Sequence, residues 1–389
     1  MSGIGTSVAI IEYGLKEAGY TVDVVITGHT VGSDLRFAEQ SGWNVVSPGI
    51  GERFLPLRLR RVAELLNLND YSVIINNTSI ETQIILPCLR AEILRVGVMR
   101  VLNRDAMKHI STNSEYLHTA IGISAEMTRV MKESAQIKAP VRLISNSTKV
   151  KGGAFPQLND NLKICYVGRI SNRDKNVNIL PRIAKILKAS GIKFTIQVVG
   201  DGRARKSLEK KFKKLAPGCV SFKGLLPRER AQQIMSKCNF VFLPSISEGL
   251  SNVMLEGMAF GCVPVCSDIE NFKWVLGKVS ERLMCRLHVP EDYAKRISYM
   301  VNNLDAYKKT QMYLRERQQR LFTPNVTVQA YLDMINELRY GKARELPATC
   351  SFQQLEIPKE YLLYCSPVWR LLQKIKNTFR GYTAHRISD

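Results

Sequence analysis

Apolar residues recur along the chain in two alternating rhythms. In the first half, the runs at 21–27 (TVDVVIT) and 72–76 (SVIIN) have the β-branched density of strands, and 95–101, 119–123 and 141–144 repeat it. Between them, 8–18 and 56–66 carry apolar residues at helical spacing. The segment 149–161, with Gly152, Gly153 and Pro156, reads as a linker. The alternation then restarts. Strands are predicted at 163–167, 193–199, 220–222, 240–243 and 263–266, and helices at 177–189, 201–215, 227–237 and 252–260. This pattern predicts an α/β fold with parallel sheets and crossover helices, one doubly wound sheet in each half. Residues 290–339 read as mostly helical, 341–358 as irregular and 361–380 as a further helix. The expected organisation is a first domain at 1–150, a linker at 151–161 and a second domain at 162–323. A helix at 324–340 would cross back to the first domain, and a basic amphipathic tail would occupy 341–389.

Composition narrows the class. No run approaches the roughly 18 uninterrupted apolar residues of a spanning helix; the best candidate, 253–266, is broken by Glu256 and Pro264. The N-terminus lacks the basic start and long apolar core of a signal peptide, so a cytoplasmic, reducing setting is expected. A formal charge of +22 fits nucleic acid, an anionic membrane surface or acidic small molecules. No nucleic-acid motif accompanies it, so nucleic acid is not expected as a partner. The nine cysteines read as small buried hydrophobes. A zinc site is the alternative, but Cys262 and Cys266 are not spaced as Cys-x-x-Cys and no His cluster accompanies them.

The chemistry concentrates in 243–266, LPSISEGLSNVMLEGMAFGCVPVC. A strand ends at Leu243, a polar turn follows, and a helix starts near Ser251 or Asn252, both good N-cap residues. A helix start beyond the C-terminal end of a parallel strand binds anions through free amides and the helix dipole. Gly249 would let the backbone approach a ligand. Glu248 lies before this start and Glu256 about a turn inside it. Either acid alone could be a simple dipole complement; the pair, the glycine and the strand edge together point to a site. Arg169, after Tyr166-Val167-Gly168, and Lys175, before Asn176, could grip phosphates at the same sheet mouth. Val199-Gly200-Asp201-Gly202 makes a third strand-to-loop turn there.

In order and spacing these residues resemble the GT-B retaining glycosyltransferases of family 4, glycosyl transferases group 1. The likeness is specific over 162–265 and fainter over 2–339. It implies two Rossmann-like domains facing across a cleft, with a nucleotide-sugar held by the second. Arg169 and Lys175 would neutralise the departing diphosphate, Glu256 would accept from the ribose hydroxyls, and Glu248 would lie against the transferred sugar. Backbone amides of Gly249, Leu250, Ser251 and Asn252, with Gly200, would hold sugar and phosphates. It further implies a UDP- or GDP-sugar donor and no metal or other cofactor. Consistent with that, the chain contains no Asp-x-Asp.

The first half departs from the family pattern. Ser2-Gly3-Ile4-Gly5-Thr6 resembles its glycine-rich loop, which would put Gly3, Gly5 and Thr6 at the acceptor side of the cleft. The strand that precedes this loop in the family is missing, so the first sheet should contain a gap with unpaired edges. Where many members carry a His after the strand at 95–102, this chain reads Asn103-Arg104-Asp105. Arg104 and Asp105 either touch donor or acceptor or form a surface pair. A motif resembling Pro-Asn-Gly appears as Ser145-Asn146-Ser147. The mixed cationic and apolar runs 53–61 and 369–380 suit either an anionic membrane surface or core-packed helices with a solvated basic face. The first option places the protein peripherally on the inner face of the plasma membrane, with a carbohydrate or lipid-linked acceptor of surface polysaccharide assembly. The competing readings are an inactive, truncated relative, a basic nucleic-acid-binding protein and a GT-B enzyme of other chemistry, such as a nucleotide-sugar epimerase.

Overall fold

A computed structural model of the chain describes residues 3–28, 42–48, 51–150, 153–341, 344–358 and 361. Parallel strands dominate both halves. The first half holds β1 (Val24–Val25), β2 (Val45–Val46), β3 (Val73–Asn77), β4 (Leu94–Met99), β5 (Thr119–Gly122) and β6 (Val141–Leu143). β1 pairs with β2, and the others form a four-stranded sheet in the order β3-β4-β5-β6. The second half holds β7 (Leu162–Val167), β8 (Phe194–Val199), β9 (Val220–Gly224), β10 (Phe240–Leu243), β11 (Val263–Ser267) and β12 (Met284–Cys285). These make one sheet ordered β12-β11-β10-β7-β8-β9. Its order reverses beside β7 and β10, the position at which open α/β sheets form a ligand crevice. β4, β10 and β11 are buried along their whole length, which accounts for their unbroken apolar runs.

The first sheet shows the predicted gap. Among the described residues β1 pairs only with β2, and no strand joins that pair to β3. Side chains bridge the break instead: the Tyr71 hydroxyl donates to Asp23 Oδ2 at 2.7 Å, and the Thr27 and Ser79 hydroxyls lie 2.7 Å apart. Burial, helped by Asp23, pushes the Tyr71 phenol up to about 12. The gap also corrects the expected strand at 21–27, which shrinks to Val24–Val25. With a backbone partner on one side only, the rest of that run has no ladder to join.

Gly3, Gly5 and Thr6 were expected in a loop; they lie in the first turns of a helix, Gly3–Glu17. Ile4, Val8, Ile11 and Leu15 recur at helical spacing and outweigh a glycine penalty of about 1 kcal/mol each. The 53–61 run divides by face. Helix Leu55–Leu68 buries Leu55, Arg58, Leu59 and Val62 on the core, while Arg53, Phe54, Leu57, Arg60 and Arg61 stay exposed. Arg58 turns inward because Glu81 meets it there, with Nη2 to Oε1 at 2.9 Å.

Helices Pro290–Asn302, Leu304–Leu321 and Pro324–Tyr340 follow the second sheet. The last returns to pack on helix Gly3–Glu17, where Val328 lies against Gly14. Residues 344–358 then run over the first half, with the Cys350 amide on the Pro87 carbonyl at 2.9 Å. The helix expected at 361–380 falls, apart from Tyr361, outside the described residues. All eight cysteines among the described residues are free thiols, seven of them buried. No described helix is long and apolar enough to cross a membrane.

Candidate active site

The loops leaving β7, β8 and β10 build the site. Gly168, Gly200 and Gly202 all adopt positive φ, and a Cβ on Gly200 would collide with the Gly168 carbonyl oxygen. Only glycines allow these two strand ends to close on one another. The Gly168 amide donates to Val199 O at 2.9 Å and Ile170 to Asp201 O at 2.8 Å. Gly200 therefore shapes the turn rather than offering its amide outward, since that amide is spent on Gly224 O at 2.7 Å. The Tyr166 hydroxyl donates to Arg169 O at 2.6 Å and fixes the loop that carries Arg169.

Arg169 reaches Asp174 Oδ2 at 2.5 Å, with most of its side chain exposed. Lys175 is ion-paired to Glu248 Oε1. The two loops are also joined by backbone, Ile246 N to Asp174 O at 2.9 Å. Glu248 takes a second donor from Ser245 Oγ at 3.0 Å, and its carbonyl accepts from Asn271 Nδ2 at 2.7 Å. Cation and carboxylate thus hold each other at the sheet mouth, each partly buried.

Ser251 is the N-cap of helix Asn252–Phe260, accepting from Met254 N at 3.4 Å. The amides of Gly249, Leu250, Ser251 and Asn252 donate no hydrogen bond among the described residues. A helix start with free amides, two cations nearby and a strand edge beneath is an anion cradle. Gly249 also makes a close approach that the sequence does not announce. A Cβ there would lie 2.5 Å from the Arg100 carbonyl oxygen, so its close approach is to the first half, at the end of β4.

Glu256 is buried one turn inside that helix. Its Oε1 accepts from Arg228 Nε at 2.8 Å, Gln232 Nε2 at 3.0 Å and Thr148 Oγ1 at 3.3 Å. Four of the predicted residues, Arg169, Lys175, Glu248 and Glu256, therefore gather on one edge of the second sheet. Thr148, Arg228, Gln232, Ser245 and Asn271 join them unannounced.

Across the cleft a pocket of about 280 Å³ opens at the ends of β3 and β4. Ile4, Asn76, Thr78, Asn103, Asp105 and His109 are among its lining. Asp105 lines this pocket and Arg104 does not, though both side chains are exposed. Gly3, Gly5 and Thr6 are not among its lining residues; only Ile4 of their helix is. Asn103 caps helix Arg104–Ser111 through Ala106 N at 2.8 Å. His109, one turn past Asp105, was missed; the i, i+4 spacing was the available signal. Burial holds its imidazole below the ordinary 6.5. Among the described residues no group of three or more His, Cys, Asp and Glu side chains is placed to hold a metal ion.

Residues 161–303 match the family model described as glycosyl transferases group 1. The uncharacterized glycosyltransferase MJ1178 of Methanocaldococcus jannaschii is 26% identical over 117 residues, 30% of this chain and 33% of that protein. The chain thus spans about a third of the length of that curated relative. Among solved structures, Anabaena HepE in complex with UDP superposes with a TM-score of 0.70 at 15% identity, over 87% of this chain and 97% of that one. S. aureus TarM in complex with fondaparinux, α-GlcNAc-glycerol and UDP superposes with a TM-score of 0.62 at 16% identity, over 72% and 59%. The architecture is accordingly the GT-B fold, two Rossmann-like α/β domains with the anion cradle at the cleft edge of the second.

Proposed function

We propose that this chain is a retaining, metal-independent glycosyltransferase that moves a hexose from a UDP- or GDP-sugar to a carbohydrate or lipid-linked acceptor. One observation carries the reading: Lys175 pairs with Glu248, Arg169 with the neighbouring Asp174, and the amides of 249–252 that follow Glu248 donate no hydrogen bond among the described residues. When the bond from sugar C1 to the diphosphate breaks, negative charge grows on the leaving oxygen, and fixed donors aimed there stabilise it. The acceptor hydroxyl attacks from the same face and passes its proton to the departing phosphate oxygen, while Arg169, Lys175 and the helix dipole take the role a metal would have. Glu248 lies against the sugar and Glu256 accepts from the ribose. UDP is the favoured nucleotide because HepE and TarM were both solved with it. The pocket of Asp105 and His109 receives the acceptor, with amides and hydroxyls for sugar hydroxyls and Ile4 for an apolar ring face.

Peripheral contact with an anionic membrane is supported by the exposed face of Arg53, Phe54, Leu57, Arg60 and Arg61 and by the charge of +22. The deciding experiment is a thermal-shift panel of nucleotide-sugars on the wild type and Glu256→Ala. One donor should raise the melting temperature of the wild type and leave the variant nearly unmoved. Equal shifts in both would remove Glu256 from the donor site.

A further inference from the structure

The segment Ser145-Asn146-Ser147 has no part in the function so far, yet it lies between the two halves and leads into Thr148. Asn146 Oδ1 accepts from Arg100 Nη1, a buried guanidinium at the end of β4. Arg100 also donates to Asn77 Oδ1, from Nε at 3.1 Å and Nη2 at 2.5 Å. Two residues on, Thr148 Oγ1 donates to Glu256 Oε1 and accepts from Arg228 Nη2 at 2.7 Å. Arg228 Nη2 lies 2.7 Å from the same carboxylate oxygen. Three side chains therefore meet Oε1, and Oε2 accepts from none of the described residues.

We propose that Thr148, Arg228 and Gln232 are positioning residues that lock the Glu256 carboxylate, leaving Oε2 for the ribose hydroxyls of the donor. This rests on the reading of Glu256 given above. A free carboxylate on a three-torsion side chain would have to be ordered by the ligand at each binding event; here that ordering precedes binding. Arg228 also offsets the negative charge that Glu256 would present to an anionic diphosphate. Because Thr148 and Asn146 belong to one short strand of chain, the lock is anchored to the first sheet through Arg100. Donor recognition is thereby tied to the apposition of the two halves.

The test uses the full chain and isothermal titration with UDP and 2′-deoxy-UDP, and with GDP and 2′-deoxy-GDP. The wild type should prefer the ribonucleotide by about 10- to 100-fold, the worth of a hydrogen bond to a charged group. Thr148→Val, which keeps shape and removes the hydroxyl, should cut that preference to about 3-fold, and Thr148→Ser should restore it. Gln232→Met, at a half-buried helical position, gives a second reading should Thr148→Val fold poorly. A merely structural role would lower the melting temperature and weaken both nucleotides equally. Preference retained in both variants overturns the lock while leaving Glu256 as the ribose ligand. A wild type that binds ribo- and deoxynucleotide alike, or neither, overturns the donor reading itself.

Discussion

The carbonyl oxygen of Arg100 lies directly beneath Gly249, joining the end of β4 to the loop that carries Glu248. A methyl group at 249 would approach that oxygen to 2.5 Å and Met127 Cε to 2.8 Å. The side chain of Met127 can move aside, but the carbonyl of a buried strand end cannot. Gly249→Ala should therefore push the halves apart rather than unfold either, at about 1–3 kcal/mol of overpacking. We expect kcat/KM to fall about 10- to 100-fold with little change in melting temperature. A variant with native kcat/KM would show that the contact plays no part in turnover.

Lys175 and Glu248 are the second relationship to test. Lys175→Ala removes the cation paired with Glu248 and, on the proposed function, leaves that carboxylate facing an anionic donor. The loss in kcat/KM should be about 100- to 1,000-fold, the scale for one fixed stabilising group. Adding Glu248→Gln to that variant should cost less than it does alone, because paired residues do not act additively. Steady-state kinetics on the two single variants and the double one measure the coupling. Strict additivity would mean that the pair is not a unit in the working enzyme.

How legible these features were depends on how far each is fixed locally. β10 and β11 follow from unbroken apolar runs, as strands buried on both faces require. β1 does not, because among the described residues it has a backbone partner on one side only, which its own residues do not reveal. At the site, Glu248, Lys175 and Arg169 were visible as residue types at sheet ends. Their pairing was not: Lys175 and Glu248 lie 73 positions apart, and Thr148 and Glu256 lie 108 apart. Gly249 is legible as a place where the backbone can be approached closely, but the Arg100 carbonyl that lies against it comes from 149 positions away and is not legible. Arg58 sits among exposed cations of identical type, and the Glu81 carboxylate from another helix, which meets it inside, is not legible from the run itself.

That inward turn separates stability from surface binding in helix Leu55–Leu68. Arg58→Met would leave the buried Glu81 carboxylate without its cation, with only long hydroxyl contacts from Thr27 and Ser79, and should destabilise the fold by about 3 kcal/mol, read from the urea midpoint. Phe54→Ser with Leu57→Ser removes mostly exposed area at Phe54 and a partly buried side chain at Leu57, and should lower the midpoint stability by about 1 kcal/mol, well short of Arg58→Met. Flotation with anionic vesicles should show the opposite ranking, the double serine variant losing retention. Retention that follows Arg58 while the midpoint stays fixed would reverse the assignment of faces.

His118 supplies a pH dependence whose sign can be worked out. It is buried, accepts from the Arg95 amide through Nδ1 at 3.1 Å, and faces the charges of Arg95 and Arg344. Burial first, then those two guanidinium groups, lowers its value from 6.5 to about 4. Between pH 6.5 and 4 the unfolded chain takes up a proton that the folded chain refuses, so the unfolded state gains and stability falls as pH drops. Above 6.5 neither state is protonated and this contribution is whole; below 4 both are, and the decline levels off. Over the window the loss attributable to His118 should be about 2–3 kcal/mol. His118→Asn keeps an acceptor for the Arg95 amide and abolishes the titration. Urea unfolding at pH 7.0 and 4.5 should then show the wild type losing about 2 kcal/mol more than the variant. Equal losses in the two proteins would assign the acid sensitivity to other groups.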